Sequence, residues 1–159
     1  MEWYKLLGAL LLSVSGGFGA YLANQRATAT LRQTQAFEEL LRYIRGQVDC
    51  FALPVSRILA ECSPSLLLAC GYRAEGVPED LDTLLDGCVI RDEETARILE
   101  SFARTFGKSY REEQTKGCSY YCEGLAKRRE TLGAQLPNKR KVNTTLWISG
   151  ALATVILLI

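Results

Sequence analysis

Two stretches of the chain carry no charged residue, and they lie near its two ends. One runs from Leu6 to Ala23 and the other from Val142 to Ile159. Each is about 18 residues long, which corresponds to roughly 27 Å of helix. That length approaches the ~30 Å thickness of a bilayer core, where a backbone must satisfy its own hydrogen bonds. The pattern predicts transmembrane helices at residues 6–23 and 142–159.

The first stretch also resembles a cleaved signal peptide, because Lys5 precedes an apolar run. Cleavage requires small residues at two positions separated by one residue. Ala23 would be paired with the bulky Tyr21, and only Gly19 with Gly17 meets the requirement. We therefore expect the segment to be retained as an anchor.

Small residues recur at steps of four on one face of this first anchor. They are Ser15, Gly16, Gly19, Ala20 and Ala23. Such steps allow a second helix backbone to come close. Two interpretations stay open: the two anchors of this chain pack on each other, or this face packs against the membrane span of a partner.

The region between the anchors, residues 24–141, shows apolar positions at helical spacing. One stripe follows the first anchor and consists of Leu31, Phe37, Leu40, Leu41, Ile44 and Val48. Shorter stripes follow, and no stretch shows the period of two that is typical of a strand. The fold class predicted is all-α: a membrane-anchored helical bundle with a transmembrane helix at each end.

Individual residues predict where some of these helices begin and end. Asp92 is expected to cap a helix that ends at Gly107 in a left-handed conformation, and Gly71 is expected to stop an earlier helix. Ser109 and Glu112 form a capping box at the start of a long helix. Pro137 is expected to break or kink that helix before the second anchor.

The distribution of charge predicts the orientation, although a net charge of +1 says little about partners. Every Lys and Arg except Lys5 lies between Arg26 and Lys141. The positive-inside bias places residues 24–141 in the cytoplasm and leaves residues 1–5 as a short extracytoplasmic N-terminus. The cluster of Lys139, Arg140 and Lys141 is expected to contact lipid headgroups, each charge contributing about 1 kcal/mol.

Carboxylates are concentrated between residues 75 and 94, where Arg91 is the single cation. The simplest interpretation is a solvated acidic surface. The functional interpretation is a docking patch for a basic partner. Its residues would be Glu79, Asp80, Asp82, Asp86, Glu93 and Glu94.

The chain offers little for catalysis or for binding a metal. It has no histidine, which removes the commonest general base, and it has no phosphate-binding glycine loop between a strand and a helix. Six cysteines lie in the middle region without a CxxC pair, and small buried side chains are their expected role in a reducing compartment. We expect a non-enzymatic protein without a metal or cofactor, a nucleic-acid partner or a small-molecule substrate.

Three segments resemble the stage III sporulation protein AB family. They are Lys5-Leu-Leu-Gly-Ala-Leu-Leu, Asp49-Cys-Phe-Ala-Leu-Pro54, and the segment from Leu99 to Gln114, whose Phe-Gly-x-Ser-x-x-x-x-Gln run is the most specific. The resemblance extends over nearly the whole chain. The sequence departs from the family in Tyr110, where an acidic residue is more common, in its many cysteines, and in Pro137.

The resemblance implies a membrane protein of endospore-forming bacteria, in the mother-cell membrane around the forespore. It implies one component of a channel complex linking the two cells, similar in its helical domain to the inner-membrane platform proteins of type II secretion and type IV pilus systems. The partners implied are the secretion-type ATPase of the same operon and other channel-complex membrane proteins. A small membrane-anchored adaptor or signalling protein is the alternative, and a membrane-bound enzyme is less favoured.

Overall fold

A computed structural model describes residues 3–51, 53–107 and 111–158, which form six α-helices and contain no strand. The helices are α1 (Trp3–Phe51), α2 (Val55–Ala60), α3 (Pro64–Cys70), α4 (Leu81–Asp86), α5 (Glu93–Thr105) and α6 (Arg111–Leu158). A single isolated antiparallel bridge pairs Tyr72 with Cys88 within these ranges. The all-α fold class is confirmed.

The chain divides into two compact units. The terminal unit consists of residues 1–29 and 133–159, and the central unit consists of residues 30–132. Helices α1 and α6 contribute residues to both units, whereas α2 to α5 belong to the central unit alone.

None of the helices, as far as the described ranges extend, holds a segment that is both long and apolar enough to cross a bilayer. The transmembrane helices expected at 6–23 and 142–159 are therefore not confirmed. They stay predictions, together with the domain boundaries at residues 24 and 141.

The core of the central unit forms around the apolar stripe of α1. Phe37, Leu41 and Ile44 are almost completely buried, as their helical spacing predicts. Each of the other helices adds buried side chains to the same cluster. These are Ile58 and Leu59 in α2, Leu67 and Cys70 in α3, Leu81 and Leu84 in α4, Leu99 and Phe102 in α5, and Cys118 and Leu125 in α6.

The expected helix ends are found where the described residues include them. The Asp92 carboxylate accepts a hydrogen bond from the backbone N–H of Thr95 at 3.0 Å, so Asp92 caps α5. Gly71 and Gly107 follow α3 and α5 with φ of 95° and 84°, a region that glycine adopts without strain. The capping box cannot be assessed in the same way, because Ser109 lies outside the described residues.

The sequence predicts a break or a kink at Pro137, and the break is not found, because α6 does not end there. It continues from Arg111 to Leu158 with Pro137 inside it. A proline lacks the N–H that an interior helical position donates. The residues on both sides nevertheless keep their helical conformation, so this local preference does not decide where α6 ends.

Candidate functional site

The acidic residues assigned to a docking patch lie on α4, on the start of α5 and just before α4. Glu79, Asp82 and Asp86 are all exposed. Within the described part of the chain, none of these three carboxylates takes part in an ion pair. They present uncompensated negative charge to the solvent.

The other three acidic residues have local partners. Asp80 caps α4, accepting a hydrogen bond from the Thr83 N–H at 2.7 Å, and the hydrogen bonds from Thr83 hold the pKa of Asp80 below its ordinary value. Glu93 pairs with Arg97, and Glu94 Oε2 lies 3.7 Å from Arg97 Nη1. Exposed ion pairs of this kind contribute little to stability. The patch is therefore most strongly negative at Glu79, Asp82 and Asp86.

The backbone between α4 and α5 is held by one buried side chain of α1. Gln33 Nε2 donates hydrogen bonds of 2.8 Å to the carbonyls of Cys70 and Val89, and Gln33 Oε1 accepts one of 3.0 Å from the Arg91 N–H. Its side chain thus forms hydrogen bonds with three backbone groups, which belong to two separate segments. Because buried polar groups need partners, Gln33 fixes the segment that leads from α4 into α5.

A second polar network joins the start of α5 to α1 and α6. Arg128 donates two hydrogen bonds to the Asp92 carboxylate, at 2.7 and 2.8 Å. The Thr95 hydroxyl contacts Asp92 Oδ2 at 2.9 Å and the Thr34 hydroxyl at 3.1 Å. The hydrogen bonds from Arg128 are the main cause that lowers the pKa of Asp92 to about 2. The ionised Asp92 carboxylate therefore joins the start of α5 to Arg128 of α6, and the Thr95 hydroxyl joins α5 to Thr34 of α1.

Glu38 is a buried carboxylate between two arginines. Its Oε1 accepts a hydrogen bond from Arg42 Nη2 at 2.6 Å, and its Oε2 lies 2.8 Å from Arg129 Nε, whose N–H is not aligned for a hydrogen bond. Removing one partner of such a group leaves an uncompensated buried charge. The Glu38 group therefore ties α6 to α1 within the central unit.

Within the terminal unit, the small residues of α1 face Trp147 and Ala151 of α6. A Cβ placed on Gly19 would lie 2.6 Å from the Trp147 ring, and one on Gly16 would lie 3.0 Å from the Ala151 Cβ. Ala20 is also buried, whereas Ser15 is exposed. This geometry corresponds to packing of the two terminal segments on each other. Packing of Ser15, Gly16, Gly19, Ala20 and Ala23 against a partner stays a prediction.

The basic cluster lies on the part of α6 that belongs to the terminal unit. Lys139, Arg140 and Lys141 are all exposed. Arg140 Nη2 donates a hydrogen bond of 3.1 Å to the hydroxyl of Thr28, on the α1 segment of the same unit. The cluster is thus accessible to an anionic surface, although lipid contact itself stays a prediction.

The family of this chain follows from a match over almost its whole length. The family model described as stage III sporulation protein AB matches residues 5–159. The chain belongs to this family. No curated protein and no solved structure matches it. The resemblance seen in the sequence is thereby confirmed.

The six cysteines occupy different environments. Cys62, Cys70 and Cys118 are buried, as expected of small apolar side chains, and burial raises the pKa of Cys118 to about 12. Cys88 and Cys122 are half-buried. Cys50 is exposed, contrary to the expected buried role. Among the described residues, no group of three acidic or cysteine side chains is placed to hold a metal ion.

The polar side chains that organise the central unit were not identified from the sequence. Gln33, Thr34 and Glu38 are buried on α1, at helical spacing from the stripe residues Phe37 and Leu41. Residues 33 and 34 lie within the stripe, four and three positions before Phe37, so they share the face of α1 that carries it. A polar residue at a core position must find a hydrogen-bond partner, and that requirement is the signal for these residues.

Proposed function

We propose that this stage III sporulation protein AB family member is a structural platform of a channel complex between mother cell and forespore. It couples a cytoplasmic secretion-type ATPase, encoded in the same operon, to the other membrane proteins of the channel. Its place is the mother-cell membrane around the forespore, with residues 24–141 on the cytoplasmic side. It acts by binding and has no catalytic role.

The observation that carries this proposal is the acidic surface of α4, which lies next to a segment held by a buried side chain of α1. Asp82 and Asp86 are exposed and have no ion-pair partner within the described chain. The segment that follows them is fixed by the hydrogen bonds of Gln33. A fixed array of like charges favours an oppositely charged surface and accelerates its association. This is a suitable arrangement for docking a basic partner such as the ATPase.

The terminal unit supports the membrane part of the proposal. Large apolar side chains are exposed there, including Val14, Phe18, Leu146, Leu152 and Ile156. Extensive exposed apolar surface is typical of regions that contact a membrane or another protein. The exposed basic cluster of the same unit fits anionic headgroups beside that apolar surface.

The test is binding of the purified ATPase to the full-length chain in detergent, with Asp82→Lys/Asp86→Lys as the variant. Asp80 is left unchanged because it caps α4. Charge reversal opposes a basic partner with like charge, so we expect the Kd to rise at least about tenfold at low salt. Added salt is expected to weaken binding of the unmodified chain as well, because it screens exposed charges.

A matched control reverses two exposed carboxylates elsewhere in the central unit, Glu39→Lys/Glu130→Lys. This variant has the same net charge as the first, so it separates the position of the charges from their sum. We expect it to bind the ATPase with nearly unchanged affinity. An unchanged Kd for Asp82→Lys/Asp86→Lys, or an equal loss in both variants, contradicts docking at the acidic surface.

A further inference from the structure

A groove lies between α4 and α5, beside the acidic residues. Its volume is about 400 Å³. Helix α4 supplies Asp82, Leu85 and Asp86, the connecting segment supplies Cys88 and Ile90, and α5 supplies Ala96, Glu100 and Arg104. The spacing 96, 100 and 104 places the three α5 residues on one face of that helix. The two helices and their connection therefore form walls and a floor.

The floor of this groove is apolar and its rim is charged. Leu85, Cys88, Ile90 and Ala96 are half-buried, whereas the four charged side chains are exposed. Burial raises the pKa of the Cys88 thiol to about 11, so this side chain is neutral at physiological pH and behaves as a small apolar group. A partner that fills the floor must therefore supply apolar atoms.

The charges at the rim do not cancel. Three carboxylates, on Asp82, Asp86 and Glu100, face one cation, Arg104. Within the described residues none of these four side chains forms an ion pair. The groove thus has an excess of negative charge that no cation of the described chain compensates, and a basic side chain from outside would complement it.

We propose that the α4–α5 groove receives a segment of the docked protein in which a Lys or Arg stands beside an apolar side chain. The apolar side chain contacts Leu85, Ile90 and Ala96, and the cation contacts Asp82, Asp86 or Glu100. The proposal rests on the proposed function, because the protein that supplies the segment is the ATPase. It goes further in assigning specificity to a groove with an apolar floor, and it includes Glu100, which lies outside the acidic stretch of residues 75–94.

A segment with a basic residue beside an apolar one matches both the apolar floor and the charged rim of the groove. A purely electrostatic contact would leave the half-buried floor in water, and a purely apolar segment would bury the rim carboxylates without a partner, which is costly. Long basic side chains satisfy both demands, because their methylene stems lie along apolar surface while the charged group stays at the rim. An adjacent apolar residue then fills the remaining floor.

The natural cysteines give a direct test on the unmodified full-length chain. Cys88 lies in the floor of the groove, while Cys50 on α1 is exposed and provides an internal control. Alkylation by a small maleimide at mildly alkaline pH is followed for each cysteine by mass spectrometry, with and without the purified ATPase. With the ATPase at about ten times its Kd, about a tenth of the chain is free, so alkylation of Cys88 slows about tenfold. The rate at Cys50 is expected to stay the same.

A substitution that fills the groove without altering charge separates this inference from the proposed function. Ala96→Phe places a ring in the groove, and Ala69→Phe, at an exposed position of α3, is the matched control. We expect Ala96→Phe to weaken ATPase binding about tenfold, as blocking a central contact does, and Ala69→Phe to bind normally.

The outcomes of these experiments are distinguishable. If Asp82→Lys/Asp86→Lys loses affinity while Ala96→Phe binds normally and Cys88 stays reactive in the complex, the acidic surface docks the ATPase but the groove is not the receptor. If neither variant changes the affinity, the proposed function itself fails. Protection of Cys88 with loss of binding in Ala96→Phe supports the groove. Since protection is measured on the unmodified chain, misfolding of a variant does not leave the inference untested.

Discussion

The terminal and central units use apolar side chains in opposite ways. In the central unit, Phe37, Leu99 and Phe102 are at most 2% exposed and belong to one continuous core. In the terminal unit, Phe18, Ile148 and Leu152 are 61%, 50% and 57% exposed. Apolar surface that enters a core stabilises the fold of the chain itself. Apolar surface that remains exposed is available to a bilayer or to another protein.

The two units also differ in how they treat charge. In the central unit, Glu38 and Asp92 form ion pairs with arginines of other helical turns and of other helices. These charges therefore connect parts of the central unit. The basic residues of the terminal unit, Lys139 to Lys141, lie exposed on its surface. The central unit thus buries large apolar side chains and pairs the carboxylates of Glu38 and Asp92, whereas the terminal unit presents large apolar and basic side chains outward.

The largest difference between the two units is expected in the free energy of unfolding, measured after one substitution in each unit. Phe37→Ala removes a completely buried ring and should lower the free energy of unfolding by about 3–5 kcal/mol. Phe18→Ala removes an exposed ring and should alter it by less than about 0.5 kcal/mol. Urea denaturation of the full-length chain in detergent measures both. Equal losses in the two variants would show that the terminal unit has a core of the same kind and would contradict the contrast between the two units.

A smaller effect is expected at the ion pair between Asp92 and Arg128. Hydrogen bonds from Arg128 lower the pKa of Asp92 from 3.8 to about 2 in the folded chain. The ionised carboxylate thus stabilises the fold above pH ~4, by about 2 kcal/mol, and this contribution declines as the pH falls toward 2. Asp92→Asn keeps a side chain that can cap α5 but should lose that stability and its dependence on pH.

The control for this prediction is Asp82→Asn, which neutralises an exposed carboxylate without an ion-pair partner in the described chain. Its unfolding free energy should follow that of the unmodified chain between pH 4 and 2. If Asp92→Asn also retains the full acid dependence, Asp92 does not stabilise the central unit through its charge.

The helices of the central unit were largely predictable because residues close together in the sequence determine them. The stripe from Phe37 to Val48 repeats at helical spacing, and Asp92 and Gly107 have side-chain or backbone properties that suit helix ends. Pro137 shows the limit of local reasoning, since α6 continues through it. A preference of one residue is overridden when the residues around it keep the helix.

The contacts that organise the candidate site were less predictable because they join distant parts of the chain. Gln33 binds backbone groups of Cys70, Val89 and Arg91, and no periodic pattern shows which turns will meet a given side chain. The acidic stretch was visible as a composition, yet the structure distinguishes Asp80 as a helix cap from the unpaired Asp82 and Asp86. Glu100 was missed because it lies outside that stretch.

We propose that residues 24–141 lie on the cytoplasmic side of the membrane, and labelling of Cys50 is the sharpest test of this proposal. Cys50 is exposed in the central unit, whereas Cys62, Cys70 and Cys118 are buried. Membrane vesicles containing the full-length chain are treated with a maleimide that does not cross membranes, and the labelled cysteine is identified by mass spectrometry. We expect Cys50 to react in inside-out vesicles and to be protected in right-side-out vesicles until they are permeabilised. Labelling of Cys50 in intact right-side-out vesicles, or recovery of the protein outside the membrane fraction, would contradict the account.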